Sequence, residues 1–147
     1  MNLSIQLIVV VALVALATVG GLIWKARTGT SKKVSSGEVI DLKEIGAIKD
    51  GKPVTEFGDR VTFLQFSSEV CSQCAQTARL FHELEAQHDD VLHIEVDITN
   101  RLDLANKFNI LQTPTTLVLD KNGVVTSRIG GAAKSQTIQD ELGSFHI

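Results

Sequence analysis

The sequence predicts an α/β protein, a mixed sheet with helices on both faces, preceded by a single N-terminal transmembrane helix. Three observations carry this reading. Residues 3–24 contain no charged side chain. Beyond residue 60, short apolar runs of strand length alternate with stretches of helical periodicity. Asn122-Gly123, between two of the apolar runs, marks a tight hairpin, so parallel and antiparallel pairing share one sheet.

The apolar run comes first. As a helix, Leu3 to Trp24 would span about 33 Å, enough to cross a bilayer, with Trp24 at the level of an aromatic belt. A cleavable signal peptide is the competing reading, and Ala15-Leu16-Ala17 has the form of a cleavage site. The run continues past Ala17, however, and no Lys or Arg precedes it, so an uncleaved anchor over residues 1–24 is expected. Lys25, Arg27, Lys32 and Lys33 follow at once. By the positive-inside rule they place the rest of the chain in the cytoplasm, as a single-pass protein of the cell membrane. Residues 25–37, polar and rich in Gly and Ser, read as a basic, flexible juxtamembrane linker, and residues 38–147 as the domain.

Within that domain, Asp41 and Glu44 have capping-box spacing for a helix of one or two turns. Asp50-Gly51 and Pro53 mark turns. Val61–Phe66 is a buried strand and Ser72–Gln87 a helix. Val91–Ile98 alternates, with Val91, His93, Glu95 and Asp97 on one parity and Leu92, Ile94, Val96 and Ile98 on the other. Arg101–Phe108 reads as a short helix, Thr115–Asp120 and Val124–Ile129 as the strands of the hairpin, and Lys134–Phe145 as a closing amphipathic helix.

The chain has two cysteines, Cys71 and Cys74, separated by Ser72-Gln73 at the start of the first domain helix. A cysteine there faces unpaired N–H groups and the positive end of the helix dipole, which favour thiolate over thiol. Cys71 is therefore the more reactive of the two. The spacing lets one thiolate attack a mixed disulfide held by the other, which is the chemistry of dithiol–disulfide exchange. In a reducing cytosol such a pair points to catalysis more than to a structural disulfide.

With this pair at a strand end and helix start, Thr113-Pro114 before the next strand, the Asn122-Gly123 hairpin and Gly130-Gly131 after the last strand, the chain resembles the thioredoxin family over roughly Val61 to Phe145. The resemblance implies a cis bond before Pro114, facing the cysteines. It also implies that the Thr113 backbone pairs with an extended substrate segment and that Gly130 lines the same groove. Three departures stand out. Val70 replaces the family's tryptophan before the first cysteine, at the substrate-facing rim. The dipeptide is Ser72-Gln73 instead of Gly-Pro. Gln65 replaces the buried aspartate beneath the cysteines, and its lysine partner falls at His93. This last pair suggests a proton relay, with His93 behind Cys74, acting through Gln65 or a water.

Other chemistries find little support. There is no basic surface or aromatic density for nucleic acid. Zinc at the CxxC lacks two further ligands, since His82 and His88 lie well along the helix, and no metal is expected there. Glu83/Glu85 and Asp89/Asp90 read as solvated charge. No cofactor site is recognisable, so electrons must come from a separate reductase or membrane carrier. The expectation is a membrane-tethered disulfide reductase acting on protein disulfides near the bilayer. A non-catalytic partner-binding module of the same fold is one alternative, and an exported oxidase or isomerase, if the topology is reversed, is another.

Overall fold

The computed structural model describes residues 2–145. Met1 of the expected anchor and residues 146–147 of the expected domain lie outside the described residues. Helix α1 (Leu3–Arg27) comes first, then β1 (Ser31–Lys33), the two-residue strands β2 (Ile48–Lys49) and β3 (Lys52–Pro53), and β4 (Val61–Ser67). Helix α2 (Ser72–Gln87), β5 (Val91–Asp97), α3 (Leu102–Lys107), β6 (Thr115–Asp120), β7 (Val125–Gly130) and α4 (Ser135–Ser144) complete the chain.

Five strands form one sheet in the order β1-β7-β6-β4-β5. β4 and β5 are parallel, joined by α2, whereas β4–β6, β6–β7 and β1–β7 are antiparallel. Central β4 is buried along its whole length, as expected of a strand covered on both faces, and it buries the polar Thr62, Gln65 and Ser67 along with its apolar residues. On one face Val61, Phe63 and Val91 pack against Phe81 and Leu84 of α2 and Ile138 and Leu142 of α4. On the other, Leu64, Phe66, Ile94 and Val96 meet Leu104 of α3, Phe108 just after it, and the 40–47 segment through Ile40, Leu42 and Ile45. The mixed sheet with helices on both faces is thus the observed architecture, and α1 is long and apolar enough to cross a membrane, with none of its residues buried in the domain.

Two parts differ from the sequence reading. Asp41–Gly46 is a series of turns instead of a helix. The Asp41 carboxylate accepts the N–H groups of Lys43 and Glu44, and hydrogen bonds close the loop before a second turn can start. The expected flexible linker over 25–37 is held in place. Helix α1 runs on to Arg27, and Ser31–Lys33 adds to the sheet as an edge strand, paired with Ser127–Ile129. At its two ends Gly29 N–H donates to Gly130 O and Val34 N–H to Thr126 O. The physical reason lies in α4. Glu141, 4% exposed, accepts hydrogen bonds from Ser31 and Ser127 and pairs with Lys33. A buried carboxylate demands such donors, and the Gly/Ser-rich segment supplies one hydroxyl and one ammonium.

Candidate active site

β4 ends at Ser67 and hands the chain, over four residues, to the N-terminus of α2. Cys71 is the residue that caps this helix. Its backbone is extended, and its sulfur accepts the Cys74 N–H at 3.1 Å. Cys71 and Cys74 are joined as a disulfide, with Cα atoms 5.2 Å apart. Cys74 is 2% exposed, whereas Cys71 is half-buried at the surface and Val70 beside it is 96% exposed. One sulfur is therefore reachable and the other lies behind it.

The bond between Thr113 and Pro114 is cis. Ser68 ties this loop to the cysteine turn. Its hydroxyl lies 3.1 Å from the Thr113 hydroxyl, and its carbonyl accepts the Cys71 N–H at 3.2 Å. Gly130 ends β7 opposite Thr115, and Pro114 O accepts the N–H of the following Gly131. A side chain at Gly130 would meet the end of Gln112 at 2.8 Å. Leu111 and Trp24 lie openly exposed near Gly130 and line the same cleft.

Gln65 and His93 meet beneath the disulfide, on the α2 face of the sheet. Gln65 is fully buried, and its amide N–H groups donate to Cys74 O (2.9 Å) and Ser67 Oγ (3.0 Å). A carbonyl cannot donate, so the Gln65 amide nitrogen must face it, and Oε1 must face His93 Nε2 at 3.0 Å. His93 is therefore the Nε2–H tautomer. Its ring stacks on Phe81, with centroids 5.0 Å apart. Burial, assisted by His82 and Lys49, lowers its pKa to about 3. The expected link from His93 through Gln65 towards Cys74 is present, but it ends on the Cys74 carbonyl instead of the sulfur. With the disulfide formed, the two side chains hold the first turn of α2 through its backbone, and no hydrogen bond from either reaches a cysteine sulfur among the described residues.

Sequence reasoning passed over two groups here. Ser68 gave no signal beyond its place in the loop. Glu85, read as solvated charge, is 17% exposed. Lys49 of β2 donates to both its oxygens at 2.7 and 2.8 Å, and the His93 N–H donates to it at 2.6 Å. Its position three residues beyond His82 on one helix face was visible, but its partner from the β2–β3 hairpin was not.

The sequence model of the family described as Thioredoxin matches residues 52–144, and the chain belongs to the thioredoxin family. Thioredoxin H5 of Oryza sativa subsp. japonica is 31% identical over 78 residues, which cover 53% of this chain and 57% of the relative. Thioredoxin of Pongo abelii is 28% identical over 79 residues, covering 54% of this chain and 74% of that one. Among solved structures, the thioredoxin of Fasciola hepatica superposes with a TM-score of 0.52 at 19% identity. The match covers 60% of this chain and 84% of that chain, and shows the shared fold. The chain thus spans little more than half the length of the rice relative, and α1 lies outside the family match.

Proposed function

We propose that the protein is a thiol–disulfide oxidoreductase, tethered to a membrane by α1, that reduces protein disulfides. The observation that carries this reading is the asymmetric pair: Cys71 accessible at the N-terminus of a 16-residue helix, Cys74 buried behind it and bonded to it. In the reduced protein the Cys71 thiolate attacks one sulfur of a substrate disulfide and releases the other as a thiolate. Cys74, once deprotonated, attacks Cys71 Sγ, frees the second substrate thiol and leaves Cys71–Cys74 oxidised. Two electrons have then passed to the substrate. A separate dithiol reductase or membrane electron carrier must return them.

The helix end favours the attacking thiolate through the Cys74 N–H that already points at Cys71 sulfur. Val70, Thr113, Pro114 and Gly130 form the rim where an extended substrate segment would lie. The exposed Val70 and Leu111 suit an apolar partner.

The tether reading rests on the length and apolar character of α1, and its basic collar supports a cytoplasmic domain. Docking of residues 29–34 on β7 leaves almost no free chain between α1 and the domain. Substrates anchored in the same membrane, or handled at its surface, fit this arrangement best. The test is reduction of insulin by the purified chain, with dithiothreitol as donor. Wild type accelerates precipitation and Cys71→Ser does not. Equal rates for the two would leave a partner-binding role. A topology reporter fused to the C-terminus reads the side of the membrane, and an external reading would reverse the expected direction of electron flow.

A further inference from the structure

The geometry points to a transition-metal site on the flank of the domain, formed by His82 and Glu85 of α2 and His93 of β5, which would take Zn(II) or a similar borderline cation. Each of the three side chains offers one ligand atom, and these atoms lie within 4.8 Å of one another. His82 and Glu85 stand three residues apart on one helix face, with His82 Nδ1 3.6 Å from Glu85 Oε2. β5 supplies the third group from the sheet side, where the His82 and His93 rings meet edge to face with centroids 5.2 Å apart.

A second, independent feature is the state of His93. His93 is 2% exposed, and its Nε2–H is committed to Gln65 Oε1, while the amide nitrogen of Gln65 is locked in turn by Cys74 O. Its remaining nitrogen, Nδ1, carries the lone pair and makes no hydrogen bond among the described residues. A ligating histidine is ordinarily prepared in this way, with the far nitrogen donating to a fixed acceptor that sets tautomer and ring orientation. Two imidazoles and one carboxylate, with a position left for water, make a zinc-type donor set. Zinc held at about 2.0–2.2 Å from each ligand needs ligand atoms about 3.3 Å apart. The required closure falls to His82, which is 62% exposed and has room to turn, while Glu85 and His93 stay where packing holds them. The site opens into a cleft of about 480 Å³ lined also by Glu95 and Asp97.

Lys49 stands in the way and sharpens the inference. Its ammonium lies 2.7 Å from Glu85 Oε1 and 2.7 Å from His93 O, so a cation already neutralises the carboxylate. It is carried by the two-residue strand β2, next to an Asp50-Gly51 turn. A divalent cation would compete with Lys49 for Glu85, so removing the ammonium should tighten binding.

The experiment uses the full chain in detergent micelles with Cys71–Cys74 oxidised, so that no thiolate is available, and titrates Zn(II) by calorimetry. Co(II) absorption serves as a reporter of coordination. Wild type is expected to bind one equivalent. His82→Ala, at an exposed position, should weaken that binding by at least about 10-fold, and Lys49→Gln should strengthen it. Absence of saturable one-to-one binding, binding that His82→Ala leaves unchanged, or weaker binding by Lys49→Gln would each overturn the assignment.

Discussion

Replacing Glu141 by Leu tests whether the segment after α1 is truly part of the sheet. The carboxylate is 4% exposed and accepts from the hydroxyls of Ser31 on β1 and Ser127 on β7, the latter at 2.7 Å. A hydrogen bond to a charged group contributes about 1.5–3 kcal/mol, so the two hydroxyls together account for about 3–6 kcal/mol. The Lys33 ammonium, at 3.3 Å and 68% exposed, adds less than about 1 kcal/mol. Leucine relieves the desolvation of the carboxylate but leaves Ser127, wholly buried, with its hydroxyl unpaired at about 1–3 kcal/mol. The expected net loss is about 3 kcal/mol. Glutamine retains an acceptor and an amide that each hydroxyl can meet, so Glu141→Gln should cost about 1 kcal/mol. Urea unfolding of the micelle-bound chain reads both values. Hydrogen exchange at the Gly29 and Val34 amides, which bond to Gly130 O and Thr126 O, reads the local release of β1. If Glu141→Leu costs less than about 0.5 kcal/mol and those two amides keep their protection, Glu141 does not clamp the strand and the docked tether has lost its physical cause.

The remaining predictions concern the redox turn and the hairpin. Cys74→Ser should trap a mixed disulfide between Cys71 and substrate, visible on non-reducing gels, because the resolving thiol is gone; an untrapped substrate would mean that Cys71 is not the attacking group. In metal-free buffer, His93→Leu should cost about 1–3 kcal/mol, since Gln65 Oε1 loses its donor inside the core. The same variant should leave the lifetime of a Cys71 mixed disulfide unchanged, and a clear lengthening would restore His93 as a proton acceptor. Gly123→Ala should be the most costly glycine change at the hairpin. The backbone there has φ +78°, and a Cβ would come within 2.3 Å of the Phe57 ring. A loss of about 1–3 kcal/mol in thermal or urea unfolding is expected, and wild-type stability would count against the packing described.

Local chemistry was legible in the sequence, and the contacts between distant segments were not. β4, α2, β5, β6 and β7 follow from runs of apolar residues whose period is set by backbone geometry. The Cys71–Cys74 turn follows from two residues that are close along the chain. Thr113-Pro114 was read through its family resemblance, and the bond is cis. Periodicity identifies which face of an element is turned inward, but it does not say what waits there. Glu85 and Glu141 both fell on helices whose polar residues look alike from sequence. One meets Lys49, 36 residues upstream, and the other Ser31, 110 residues upstream. A signal for Glu141 existed, because Ile138, Glu141 and Leu142 share one helix face and the two apolar members are core. A carboxylate flanked in that way must find donors, and the nearest unassigned hydroxyls and ammonium groups were in the stretch read as linker. The linker was read as flexible because it was judged without Glu141, the distant partner that holds it. The Gln65–His93 pair shows the same limit from the opposite side. The pairing itself was anticipated from a double departure, yet its chemistry depended on which atom of Cys74 the amide would face. Only the three-dimensional turn of α2 decides that: it offers the backbone oxygen and keeps the sulfur for Cys71.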